Sequence, residues 1–175
     1  MEFNVATKDS LIQSFDEMKR QVVQTFDSIP ESDFIKRSES GWTAFQNLDH
    51  LNRSVVPVIK AMKVPRFVLQ MRFGKSQKPS RSYTEVKETY LATLAQGAKA
   101  GGAYLPAEPG ASKKLYLLNR WNTLISELTR LLDGWSETDL DRVLLPHPLL
   151  GKMTVREILA FTLYHSLHHS VLKQI

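Results

Sequence analysis

The segment Tyr164-His165-Ser166-Leu167-His168-His169 concentrates imidazoles near the carboxyl end of the chain. On a helix, the stripe Ile158, Thr162, His165, His169 and Leu172 advances in steps of four, three, four and three, so two histidines occupy places where a bundle usually puts leucine. His165 and His169 stand at i and i+4, stacked on one face, which is the spacing at which two imidazoles reach one metal ion. His168 lies about 60° from His165 and about 100° from His169 around the helix, the worst placed of the three. The same pattern also suits a polar network inside a bundle, in which each imidazole needs a partner because an unpaired buried one costs on the order of 1–3 kcal/mol.

The chain has no cysteine. Disulfides, thiolate metal ligands and a cysteine nucleophile are therefore excluded, and any metal must be held by His, Asp or Glu. A divalent transition metal normally takes at least three protein groups, so a third ligand must come from elsewhere. The candidate is His50, within Trp42-Thr43-Ala44-Phe45-Gln46-Asn47-Leu48-Asp49-His50-Leu51. On an ideal wheel it falls about 120° from the centre of its helix's apolar stripe, a flank or exposed position. Asp49 is a replacement ligand or a carboxylate that could fix an imidazole tautomer; as a bland alternative it is a solvated helix charge. His147, in Leu145-Pro146-His147-Pro148, belongs to a connection and could line the mouth of a site or simply be a loop residue. No carboxylate stands at a spacing that marks it as a general base, and Tyr164 is about 100° from His165 on the wheel, where packing is its expected job.

These side chains need rods to hold them, and the sequence supplies four. Leu11, Phe15, Met18, Val22 and Phe26 form one stripe, with Thr7 or Ser10 available as a cap and Pro30 as a stop. A second helix starts at Trp42-Thr43, where Thr43 and Gln46 have capping-box spacing. It carries Ala44, Leu48, Leu51, Val55, Val58 and Met62, contains Pro57, where a kink is expected, and ends near Pro65. Leu118, Trp121, Ile125, Leu128, Leu132 and Trp135 mark a third, with Gly134 near its end. The fourth opens at Thr154-Val155-Arg156-Glu157, another capping box, and runs toward Ile175. Each is about 18–24 residues, or roughly 27–36 Å. Matched amphipathic helices with no long alternating run predict an all-α four-helix bundle forming one domain over 1–175. Between the second and third helices, Tyr83, Val86, Tyr90 and Leu94 predict a short extra helix, and Gly97–Gly110 reads as an exposed, flexible loop.

The Trp-Thr helix start, the His50-Leu51 pair, the Thr154-Val155-Arg156-Glu157 start and the HxxHH ending resemble the DinB/YfiT-like superfamily of four-helix bundles, and Trp135 to Arg142 (WSETDLDR) agrees in place and order. The resemblance covers nearly the whole chain and implies a metal triad of one histidine from the second helix and two, four apart, from the last. Carried onto this sequence, these are His50, His165 and His169. It also implies a divalent metal ion such as zinc or nickel, a small-molecule substrate such as a low-molecular-weight thiol, thiol S-transferase or hydrolase-like chemistry in some members, and a frequent homodimer. Three neutral imidazoles would leave such an ion its full charge and an open position.

Charge is unevenly spread. Lys+Arg 23 less Asp+Glu 18 gives +5. Arg53, Lys60, Lys63, Arg66, Arg72, Lys75, Lys78 and Arg81 fall in a stretch without acids, interleaved with Phe67, Val68, Leu69, Met71 and Phe73. This 53–81 segment is either a basic solvated face or the meeting place of an anionic partner, in which case the chain is a non-catalytic stress-response or binding bundle. Nothing resembles a nucleic-acid-binding motif. Met1 to Ser10 has no apolar core of a secretory signal, which predicts a cytoplasmic protein, and no apolar run is long enough for a membrane span.

Overall fold

The structure, a computed structural model, describes residues 2–37, 41–109 and 113–170. Four long helices make the bundle: α1 (Lys8–Asp27), α3 (Ala44–Met62), α6 (Lys114–Leu132) and α8 (Val155–Ser170). Around them lie α2 (Glu31–Phe34), α4 (Arg66–Phe73), α5 (Tyr83–Ala95), α7 (Glu137–Arg142) and the hairpin β1 (Leu144–His147) and β2 (Gly151–Thr154). The bundle closes as a ring in which α1 packs on α6, α6 on α3, α3 on α8 and α8 on α1. Every residue of the predicted stripe in α1 is buried. So are Leu118, Trp121, Ile125, Leu128 and Leu132 of α6, which with Leu48, Leu51 and Val55 of α3 fill one continuous core. Asn52 ties two of these helices together, its amide donating to Leu48 O at 2.9 Å and to Leu117 O at 3.2 Å.

The helix starts are the ones the sequence marks. Thr7 caps α1 in a reciprocal box with Ser10, and Thr43 does the same for α3 with Gln46. The expected extra helix is α5, boxed by Ser82 and Glu85 and packed on the outer face of α8. Pro57 lies inside α3 on its exposed side. Trp135 lies just past the end of α6 yet is buried, its indole N–H donating to Met62 O at 3.3 Å. The predicted stripe position Leu172, and the end of the last helix beyond Ser170, fall outside the described residues.

The hairpin was not expected. Its strands are four residues each, too short to show an alternation. They pair antiparallel, with Leu145 opposite Met153, both buried. Gly151 has φ +73°, a left-handed conformation that a side chain would strain. His147 closes the turn, its Nδ1 accepting from Leu149 N–H at 3.2 Å and Leu150 N–H at 3.1 Å. That role requires a bare nitrogen, and burial pushes the His147 imidazole down to about 4.

The start of α8 is clamped. Thr154 and Glu157 form its capping box, and Glu157 also holds the Arg81 guanidinium. Arg156 is a cation in a first helical turn, where the dipole opposes it, and it is buried. Asp141, Glu137 and the carbonyl of Val5 accept its donors and offset that cost. Because both carboxylates are partly exposed, Arg156→Ala should destabilise by about 2–3 kcal/mol rather than the full cost of breaking a fully buried pair, read as a lower urea midpoint. For His147 the unfolded ring takes a proton near 6.5 and the folded one resists until about 4, so the unfolded state binds more protons between them. Stability of metal-free protein should therefore fall as pH drops from 6.5 toward 4, and His147→Asn, which keeps an acceptor for the turn, should make that fall shallower.

Candidate metal centre

Two helices and one connection build the site. In α3 the buried set is wider than the apolar stripe and includes Ala44, Phe45, Gln46, Leu48, His50, Leu51 and Asn52. The reason is that α8 packs on this flank, and the 3-10 turn Gly102–Tyr104 covers it further along. His50 is thereby 3% exposed, although the wheel puts it on the flank. In α8 nearly every residue from Val155 to Leu163 is buried, because α1, α3 and α5 surround it. His165 and His169 project from its far end toward His50.

The three predicted ligands converge. One ring nitrogen from each of His50, His165 and His169 lies within 4.8 Å of the other two. The Nε2 atoms of His50 and His165 are 3.1 Å apart, close to the roughly 3.3 Å that separates two nitrogens on one tetrahedral zinc. Ring centroids are 4.9 Å apart for His50–His165, 4.6 Å for His50–His169 and 4.6 Å for His165–His169.

Hydrogen bonds at the opposite ring nitrogens fix the tautomers. The His50 Nδ1 is 2.6 Å from the carbonyl oxygen of Tyr104. A carbonyl only accepts, so His50 holds its proton on Nδ1 and presents a bare lone pair at Nε2. The Asn47 amide works the same way on His169. Its Nδ2 donates to Trp42 O at 3.2 Å and Thr43 O at 3.0 Å, which turns Oδ1 to His169 Nδ1 at 2.8 Å. Nε2 of His169 is left as its ligand atom.

Burial keeps all three rings neutral. It pushes His50 below 6.5, against the opposing effects of the Tyr104 carbonyl and the Asp49 charge. It pushes His165 well below that value, helped by the neighbouring histidines, and His169 to about 3, helped by His50 and His168. Neutral imidazoles with inward lone pairs are the form that binds a metal. The donor set therefore fits a divalent metal ion.

Aromatic rings wall the cluster. Trp42 stacks on His169 at 5.7 Å and tilts over His50 at 4.9 Å, while Phe161 stacks on His165 at 5.0 Å. Tyr90 meets His165 edge-on at 6.0 Å. The other sequence candidates have different jobs. Asp49 acts on His50 through its charge, while its carboxylate holds Arg53 at 2.7 Å and accepts from Ala107 N–H at 2.8 Å, pinning the connection that carries Tyr104. His147 is one ring removed, 4.3 Å from Phe161. His168 is exposed and lies against Tyr164, itself packed against Tyr83 and Tyr90. Asn47 and the Tyr104 carbonyl were not foreseen. Asn47 is three residues before His50 and so on the same flank, a signal available in the sequence; a backbone carbonyl carries none.

The architecture has a solved counterpart. YfiT from Bacillus subtilis, described as "a probable metal-dependent hydrolase with an unusual four-helix bundle topology", superposes with a TM-score of 0.59 at 19% identity, covering 93% of this chain and 81% of that one. No curated protein sequence matches this one. The DinB superfamily model matches residues 14–170, a span that takes in both helices bearing the imidazoles and every wall of the cluster. The match runs through all four long helices of the bundle, and this chain belongs to the DinB superfamily.

Proposed function

We propose that the chain, as one domain over 1–175, is a metal-dependent enzyme acting on a small molecule, with His50, His165 and His169 holding a divalent ion. The observation that carries this reading is the pair of acceptors behind the rings: Tyr104 O and Asn47 Oδ1 each keep a proton on Nδ1 and so aim Nε2 inward. A bound divalent ion supplies Lewis acidity, lowering the pKa of a coordinated water or thiol near neutral pH. The description of YfiT as a metal-dependent hydrolase supports hydrolysis as the reaction; transfer of a low-molecular-weight thiol is the alternative within the family resemblance.

The chain's own residues prepare the site. Trp42 and Phe161 flank the imidazoles and exclude water from two sides. In the metal-free state His165 can donate Nε2–H to the bare Nε2 of His50 at 3.1 Å, so loading moves that proton away. The carboxylate beside His50 in sequence, Asp49, is engaged by Arg53 and Ala107. The ligands therefore add no negative charge, and the ion's charge is left to act on an anionic nucleophile or substrate.

Protein loaded with zinc or nickel and desalted should hold near-stoichiometric metal by elemental analysis, and His50→Ala or His165→Ala should remove most of it. His168→Ala should leave it in place. Metal-free wild-type protein after loading overturns the reading. Asn47→Leu should weaken zinc affinity about 10–100-fold in a chelator competition, and should shift the His169 ring from its Nδ1–H tautomer in the imidazole nitrogen NMR spectrum of metal-free protein.

A further inference from the structure

Half of the basic segment is absorbed by the fold. Arg53, Lys63, Arg66 and Arg81 pair with Asp49, Glu127, Asp139 and Glu157. The rest is reinforced from elsewhere in the chain. Ser76 N–H donates to Arg142 O at 2.8 Å, Lys75 bridges to Val143, and Lys152 Nζ donates to Phe73 O at 2.8 Å. These contacts bring exposed Arg72, Lys75, Lys78, Arg142 and Lys152 to one corner, where the end of α4 meets the hairpin.

The same corner shows apolar surface. Phe67 is 65% and Met71 79% exposed. They stand one turn apart on the face of α4 opposite buried Leu69, each about 160° from it around the helix. Their exposure is not fraying. Leu69 sits in the core, Arg66 lies 4.6 Å over the Trp135 ring and donates to Gly134 O, and Lys152 caps the last turn at Phe73. The helix is fixed with its apolar pair outward.

We propose that this corner is a docking surface for an anionic lipid bilayer, with Phe67 and Met71 entering the headgroup region and the five cations meeting acidic headgroups. Three considerations select that occupant. A second copy of the chain on a two-fold axis would bring the same cations against one another. A folded acidic partner would need concave seats for two protruding side chains, whereas a bilayer interface receives them without a preformed pocket. Cations beside large apolar side chains are the combination by which surface-lying segments hold to acidic membranes. Contact is with the surface alone, since no described helix is long and apolar enough to cross a membrane.

The test is co-sedimentation of the full chain with vesicles of phosphatidylcholine containing roughly 30% phosphatidylserine, against phosphatidylcholine alone. The expected result is binding to the acidic vesicles only, weakening about tenfold between about 50 mM and about 300 mM salt. The pair Phe67→Ser with Met71→Ser, and separately Arg72→Glu with Lys75→Glu, should each reduce binding about tenfold, with helix content unchanged by circular dichroism. Three results overturn the proposal: no sedimentation at the lower salt, undiminished binding of the serine pair (net charge alone then accounts for adhesion), or capture by soluble poly-glutamate without capture by vesicles.

Discussion

Everything at the candidate centre depends on oxygen atoms behind two of the rings. An imidazole buried without a partner is unfavourable, and three of them within reach of one another add the problem of facing lone pairs. Tyr104 O and Asn47 Oδ1 resolve which nitrogen carries the proton on His50 and His169. Neither oxygen can donate, because one is a carbonyl and the other belongs to an amide whose N–H groups are committed to Trp42 O and Thr43 O. The direction of the lone pairs is thus settled by backbone geometry at the start of α3 and along the connection after α5. Burial then adds the second condition, neutrality, by opposing a charged ring.

The helix that bears two of these rings is held at its other end by charge. Arg156 lies in the first turn of α8, where a cation is disfavoured, yet its guanidinium reaches Asp141, Glu137 and the backbone of Val5. This joins the N-terminal segment, α7 and α8 into one unit. Glu157 adds a second ion pair with Arg81 while completing the cap. The orientation of α8, and with it the place of His165 and His169, is set by these polar contacts as well as by the core.

Much of this was legible in the residues, and the exceptions have physical causes. Stripes in steps of three and four placed α1, α3 and α6, and two capping boxes marked the starts of α3 and α8. His165 and His169 were visible because polar side chains interrupt an inward stripe. His50 was reached through the family resemblance and not the wheel, which knows only its own helix: what buries that flank is α8 and the turn Gly102–Tyr104. The hairpin escaped because four-residue strands show no period. Short helices such as α4 escaped for a similar reason, with only Leu69 of its eight residues buried. Asp49, weighed as a partner of an imidazole, instead secures Ala107.

The connection after α5 touches α3 in two places, and in both it offers main chain: the carbonyl of Tyr104 to His50 and the N–H of Ala107 to Asp49. Peptide groups are the same whatever side chains they carry. Evolution or an engineer can therefore rewrite the exposed residues of this stretch, Leu105 among them, while the latch that orients the His50 ring stays intact.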